Sequence, residues 1–242
     1  MKLHGKVAIV TGGAMRLGRA FALALADAGC DVCVHYGRSE QAARATAEAV
    51  RRRGRRAAVV AADLLKPEQA ARRVLSATTN ELGRADVLVN NAAIFEPGTC
   101  ADTTREHWDR HFAINLEAPF HLCREFAAQS DGHRGQIANI ADWRATRPLP
   151  GHLAYTLSKS GLVTLTKILA RELAPDIQVN AIAPGAILPA AGTESKAFQR
   201  LAEETPLQRT GHPGDVTEAL MYLLRSDFVT GEVIHVAGGR QL

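Results

Sequence analysis

Lys6-Val7-Ala8-Ile9-Val10-Thr11-Gly12-Gly13-Ala14-Met15-Arg16-Leu17-Gly18 is the stretch that decides the fold. Lys6-Val10 is short and apolar, as a buried strand is, and Gly12-Gly13 ends it. Ala20-Ala28 follows as an Ala/Leu helix stopped by Gly29. A glycine-rich turn between a strand and a helix is a phosphate cradle. Glycine lets the backbone approach closely, and the helix N-terminus offers unpaired N–H groups and a positive dipole end to a pyrophosphate. Alone, such a turn is only a tight turn. At the head of a long strand–helix series it gains meaning.

That series runs along the whole chain. Strands are expected at Val32-Tyr36, Ala57-Ala62, Val87-Asn90, Gln136-Ala141, Val179-Ala183 and Glu232-Val236. Helices are expected between them. One runs from an N-cap at Ser39 to about Arg53, and one starts at Pro67. One follows a Thr103/Glu106 capping box and ends near Ser130; the others are His152-Leu173 and Asp215-Leu224. Seven strands alternating with six helices imply an α/β protein with a doubly wound, seven-stranded parallel sheet flanked by helices. No linker divides residues 1–242, so a single domain is expected. The least regular stretch, Leu188-Gln208, is the expected mobile flap over a site.

Composition narrows the function. The 242 residues are 46% hydrophobic and 22% charged, with 29 basic against 25 acidic side chains. A net charge of +4 does not argue for nucleic acid. No apolar run reaches the roughly 18 residues of a membrane span, and Met1-Lys2-Leu3-His4-Gly5-Lys6 has no apolar region before a small-residue cleavage site, so a secretory signal is not expected. Four cysteines make no disulfide framework. A cytoplasmic enzyme acting on a small molecule, with neither nucleic-acid nor membrane partner, is the expectation.

The end of the second strand selects the dinucleotide. A carboxylate there binds the ribose 2′-hydroxyl of NAD, whereas arginine accommodates the 2′-phosphate of NADP. The strand ends His35-Tyr36-Gly37-Arg38-Ser39 without an acid, and Asp31 stands at its wrong end. Arg38 can meet a 2′-phosphate through paired hydrogen bonds, Ser39 adds a hydroxyl, and Arg16 adds a second cation. NADPH is therefore expected over NADH. Tyr155 and Lys159, four apart on one helix, face the same way. The ammonium is expected to pull the phenol down from about 10 toward neutrality, which makes Tyr155 a proton donor.

Thr11-Gly12…Gly18, Asp63, Asn90-Asn91-Ala92, Asn115, Tyr155-Thr156-Leu157-Ser158-Lys159 and Pro184-Gly185, in order and with family spacing, resemble the short-chain dehydrogenase/reductase family. The resemblance implies a Rossmann-like sheet, a nicotinamide cofactor and hydride transfer. It implies Tyr155 as the acid, Lys159 as holder of the ribose and tuner of Tyr155, and Asn115 as organiser of a proton-relay water. Gly12, Arg16, Leu17, Gly18, His35, Tyr36, Arg38, Ser39, Asp63 and Leu64 fall in its cofactor-binding positions, with Asp63 toward the adenine. Asn91-Ala92-Ala93 would meet the ribose side, and Pro184-Gly185 the nicotinamide.

Two departures sharpen the expectation. Arg16 stands where the loop usually has glycine, and Asp142 stands thirteen residues before Tyr155, where a serine is usual. A serine hydroxyl donates to a carbonyl oxygen that becomes negative, whereas a carboxylate there repels an alkoxide. It suits a substrate protonated at nitrogen or bearing N–H donors, and delivers a proton if burial raises its pKa. Arg16, His35-Tyr36-Gly37-Arg38-Ser39 and Asp142 together resemble the pteridine reductase branch, and Phe95 matches its ring-stacking phenylalanine. That branch implies reduction of a dihydropterin C=N bond, with Arg16, Phe95, Asp142, Tyr155 and Leu188 at the substrate. The alternatives are a carbonyl reductase of the same family, such as a 3-oxoacyl-carrier or sugar ketone reductase, and a non-catalytic NADPH-binding regulator. Family resemblance also suggests a homotetramer built through the helices Thr103-Ser130 and His152-Leu173.

Other motifs read as structural. Cys30-Asp31-Val32-Cys33 has half a zinc spacing but enters a strand and has no second pair. His107 and His111 are four apart without the glutamate of the zinc motif, since Trp108 holds its place. They are expected on a surface helix face, with no metal. Arg51-Arg52-Arg53-Gly54-Arg55-Arg56 suits a solvated helix end. Trp143 is left open between pocket lining and outside packing.

Overall fold

The four residues of Val7–Val10 (β1) are all buried, the mark of a strand covered on both faces. The same holds, with small departures, for Asp31–Tyr36 (β2), Val87–Asn90 (β4), Gly135–Ile140 (β5) and Ile177–Pro184 (β6). Ala57–Ala61 (β3) and Val233–Val236 (β7) form the edges, and every pairing is parallel, in the order β3-β2-β1-β4-β5-β6-β7. The computed structural model describes residues 1–129, 132–189 and 195–242, without the side chains of 195–197.

Helices Arg16–Asp27 (α1), Glu40–Arg51 (α2) and Pro67–Leu82 (α3) alternate with the first four strands. Arg105–Phe112 (α4), Ala118–Ala127 (α5), Leu153–Glu172 (α6), Ser195–Glu203 (α7) and Pro213–Arg225 (α8) complete the set. One core lies under α1, α2 and α8 around Phe21, Leu25, Val34 and Leu220. A second lies across the sheet under α3, α5 and α6 around Leu75, Leu88, Leu122 and Val179. This is the single-domain, Rossmann-like seven-stranded sheet expected from the sequence. Among the described residues no helix is long and apolar enough to cross a membrane.

Several local expectations are corrected. Ser39 precedes α2 but its side chain makes no capping hydrogen bond. The cap of α4 is Thr104, which accepts from the His107 N–H, while the Thr103 hydroxyl donates to the Thr99 carbonyl at 2.6 Å and closes the preceding turn. The long helix expected after it is broken by a π-helical turn, Ala113–Glu117, in which the Ala118 N–H reaches back five residues to Ala113. Pro119 explains the widening, because it has no N–H for the carbonyl of Asn115. The far end of that helix, Ser130, and residues 190–194 of the expected flap lie outside the described residues. The rest of that flap is more regular than expected, since it contains α7.

The strand order reverses between β1 and β4. The loops that follow these two strands therefore part outside the carboxyl edge of the sheet, where ligands of such folds bind.

Candidate active site

The loop after β1 is held from three sides. The Thr11 N–H donates to the Val89 carbonyl at 3.0 Å, and its hydroxyl oxygen accepts from the Asn91 and Ala92 N–H groups at 2.9 and 3.0 Å. The Asn91 amide donates to the Thr11 and Gly12 carbonyls at 2.9 and 3.3 Å. Beneath the loop, His35 is 1% exposed; its Nδ1 accepts from the Gly12 N–H at 3.2 Å and its Nε2 donates to the Ala62 carbonyl at 3.1 Å. Both nitrogens are committed, and burial holds the imidazole below its usual pKa, so it is a neutral brace behind the cradle.

The glycines are structural requirements. Gly12 has φ +61, and a Cβ at Gly18 would lie 2.0 Å from the Gly12 carbonyl oxygen. Arg16 adopts φ +55, the left-handed region, which explains why glycine is usual there. Its guanidinium reaches across the site to the Leu188 carbonyl at 3.4 Å. Leu17 and Leu64 pack into the two cores. Arg38 and Asp63 are exposed, while Tyr36 and Ser39 are half-buried. Gly37, Asp63 and Lys66 line a cleft at the edge of the sheet. Across the site, Pro184 ends β6, and the Gly185 N–H donates to the Val236 carbonyl at 2.9 Å.

The candidate reacting groups meet where β5 faces the start of α6. Asp142 caps the short 3₁₀ turn Trp143–Ala145; one carboxylate oxygen accepts from the Arg144 N–H and the other from the Tyr155 hydroxyl, both at 2.8 Å. Lys159 is 2% exposed, and its Nζ donates to the Ile140 carbonyl at 2.6 Å. Asn115 is pinned in the π turn: its Oδ1 accepts from the Ile94 N–H at 3.0 Å, and its Nδ2 donates to the Ile94 carbonyl and the Ser158 hydroxyl, each at 3.1 Å.

The electrostatics correct one expectation. Lys159 does not lower the Tyr155 pKa. Burial first, and then the Asp142 carboxylate, hold the phenol well above its usual value. Burial lowers Lys159 to about 8, against the attraction of Asp142. Burial raises Asp142 above the usual carboxylate range, although the Arg144 N–H, Tyr155 and Lys159 oppose it. Burial thus favours the protonated form of Asp142, and burial together with the Asp142 carboxylate favours that of Tyr155.

Phe95 stands beside them. Its ring meets Tyr155 edge-on at 4.7 Å and stacks on His152 at 4.2 Å with 7° between planes. His152 thus covers one face of the expected platform, and the Arg144 guanidinium lies 5.7 Å from its centre. Trp143 is buried, with the cations of Arg144 and Arg240 at 5.2 and 5.1 Å from its ring. Arg240 also donates to the Leu201 carbonyl and to Glu204, both at 3.0 Å, which fastens the chain's end to the α7 region. Sequence reasoning missed Arg144, His152 and Arg240. Only their nearness to Asp142, Tyr155 and the chain's end was a signal.

Away from this centre, Cys30, Cys33 and Cys123 are buried thiols pushed up to about 12 by burial, as packing residues are. The basic run is partly neutralised: Arg53 pairs with Asp27, and Arg55 and Arg56 both pair with Asp31. The expected surface face of His107 and His111 is corrected, since His111 is 0% exposed and both rings turn inward.

Residues 12–241 match the family model described as enoyl-(acyl carrier protein) reductase. The chain belongs to the short-chain dehydrogenase/reductase family. An uncharacterized oxidoreductase of Methylorubrum extorquens is 37% identical over 98% of both chains. The 3-oxoacyl-[acyl-carrier-protein] reductase FabG of Staphylococcus epidermidis is 32% identical over 97% of this chain and 98% of its own. FolM alternative dihydrofolate reductase 1 from Brucella canis, crystallised with NADP, superposes with a TM-score of 0.94 at 34% identity, covering 99% of this chain and 95% of its own. In this short-chain family member a Cβ at Gly12 would press on Ala92 and Asn91, and one at Gly18 on the Gly12 carbonyl, so the tight loop after β1 requires glycine at both positions.

Proposed function

We propose that this protein is an NADPH-dependent pterin reductase that converts a dihydropterin to the tetrahydro form. The carrying observation is the half-buried Asp142 carboxyl, hydrogen-bonded to Tyr155 where the family keeps a serine hydroxyl. The likeness to the FolM protein supports the same reading. Bound NADPH supplies the hydride that reduces the C=N carbon.

The chain's own residues do the rest. Gly12, Leu17, Gly18, Asn91, Ala92 and Ala93 shape the pyrophosphate and ribose site, and Arg16, Arg38 and Ser39 meet the phosphates. Asp63 and Leu64 border the adenine, His35 and Tyr36 shape the wall beneath it, and Pro184-Gly185 borders the nicotinamide. Lys159 holds the ribose. Phe95 meets the pterin ring, with Leu188 and Arg16 closing the pocket. Asp142, whose protonated form burial favours, gives its proton to the ring nitrogen as the carbon is reduced. Tyr155 fixes the carboxyl in place, and Asn115 orients the water that returns a proton. The protein works in the cytoplasm as a homotetramer.

A second reading is a carbonyl reductase, favoured by the 32% identity to the 3-oxoacyl reductase. Oxidation of NADPH separates the two. The purified protein is tested with dihydrobiopterin, dihydromonapterin and dihydrofolate beside a panel of ketones and 3-oxoacyl thioesters. Turnover of a pterin at kcat/KM at least tenfold above any ketone supports the proposal. Turnover of ketones alone rejects it.

A further inference from the structure

Beyond the reductase site, two histidines and a glutamate face one another where α4 packs under the Phe95 loop. His107 and His111 lie one turn apart, with ring centres 4.5 Å apart, and Glu96 comes from the loop immediately after Phe95. One ligand atom from each of the three lies within 4.8 Å of the others. His111 is completely buried; its Nδ1 donates to the His107 carbonyl at 2.8 Å, which leaves Nε2 as a bare lone pair with no partner. Both ring nitrogens of His107 are buried and unpartnered as well, and its Nε2 stands 3.5 Å from Glu96 Oε2, an electrostatic contact rather than a hydrogen bond. Buried polar atoms seldom go unsatisfied without a reason.

We infer that Glu96, His107 and His111 form a binding site for a divalent transition-metal ion of the zinc type. Two imidazoles and one carboxylate, with a fourth position left to water, are a common zinc ligand set. An Nδ1–H bound to a backbone carbonyl is the usual orienting contact of a metal-ligating histidine. Arg110 holds the other Glu96 oxygen, Oε1, at 2.9 Å and leaves Oε2 for the metal. Gly98 makes room for the His107 ring, since a Cβ there would lie 2.8 Å from its Cε1. Zinc–ligand bonds of roughly 2.0–2.1 Å set tetrahedral ligands about 3.4 Å apart. The three groups therefore close inward by up to about 1.4 Å on binding. Glu96 Oε2 already stands 3.5 Å from His107 Nε2, near that spacing, and its side chain is 35% exposed and free to adjust. Bound metal ties the Phe95 loop to α4.

Calorimetric titration of the metal-free full-length protein with ZnCl₂ tests this, with CaCl₂ as the hard-cation control. The expected result is one Zn²⁺ per chain at micromolar affinity or tighter, and no heat with Ca²⁺. Glu96→Gln and His107→Gln each weaken Zn²⁺ binding at least tenfold, while Cys100→Ser, which removes the exposed thiol nearby in sequence, leaves it unchanged. His111→Gln is read only if its circular dichroism matches the parent; the two less buried positions carry the test if it does not. Absence of saturable Zn²⁺ binding overturns the inference. So does binding that survives both Glu96→Gln and His107→Gln, or binding lost in Cys100→Ser.

Discussion

In the proposed pterin reduction a single carboxyl group sets the chemistry. Asp142 is raised by burial, so the folded state binds a proton that the unfolded chain has already released. A raised acid contributes stability below its unfolded pKa, and that contribution is lost as pH rises through the folded value. Its usefulness as a donor follows the same limb. Pterin turnover should be highest on the acid side and fall as pH climbs through the folded pKa of Asp142. Asp142→Asn should flatten that limb, lower kcat by roughly 10²–10⁴-fold and raise the melting temperature at neutral pH. A pH–rate profile unchanged in the variant contradicts the donor role. At the far end of the cofactor groove, Arg38→Asp should repel a 2′-phosphate and move the NADPH:NADH preference toward NADH by at least tenfold, read from kcat/KM with each cofactor. Arg38 and Asp142 stand out in the sequence because each occupies a slot whose usual occupant is known, and of the two expectations the structure bears on one, through the contact of Asp142 with Tyr155. The Tyr155 titration was not legible, because helical spacing puts Lys159 on the same face without saying that Lys159 donates to the Ile140 carbonyl.

At the scale of elements, the loop after β1 trades backbone comfort for chemistry. Arg16 holds a left-handed conformation that costs a non-glycine residue about 1–2 kcal/mol. Arg16→Gly should relieve that cost and raise the melting temperature by a few degrees, while weakening NADPH binding through loss of a cation. Differential scanning calorimetry and fluorescence titration measure the two effects, and a fall in melting temperature contradicts the strain. Strand positions were legible because buried parallel strands read as unbroken apolar runs. Helix ends were less so. Thr103 and Thr104 are equally good caps by type, and only the Thr103–Thr99 hydrogen bond decides between them. The π turn at Asn115 was signalled by Pro119, four residues on, but apolar periodicity alone runs straight through it. Helix α7 was missed although Ala197, Phe198, Leu201 and Ala202 have helical spacing, and Arg240 holds the α7 region from far along the chain.

As a whole molecule, the sheet brings to one edge residues that lie far apart in sequence: Arg16, Phe95, Asn115, Asp142, Tyr155 and Leu188. Their order along the chain was legible, but the Phe95–His152 stack and the inward turn of His107 and His111 depend on how α4 and α6 pack, which no local pattern encodes. Phe120 on α5 and Leu157 and Ile168 on α6 are 40%, 43% and 47% exposed, and association through these helices would cover them. Light scattering coupled to size exclusion should give four chains per particle, and a monomer at micromolar concentration contradicts the homotetramer. The most direct test of the central claim returns to Asp142. In Asp142→Ser, kcat/KM for dihydrobiopterin and for the best ketone of the panel are compared with the parent values. The account predicts that the pterin value falls at least a hundredfold while the ketone value holds or rises; equal losses for both substrates would contradict a carboxyl group that serves nitrogen.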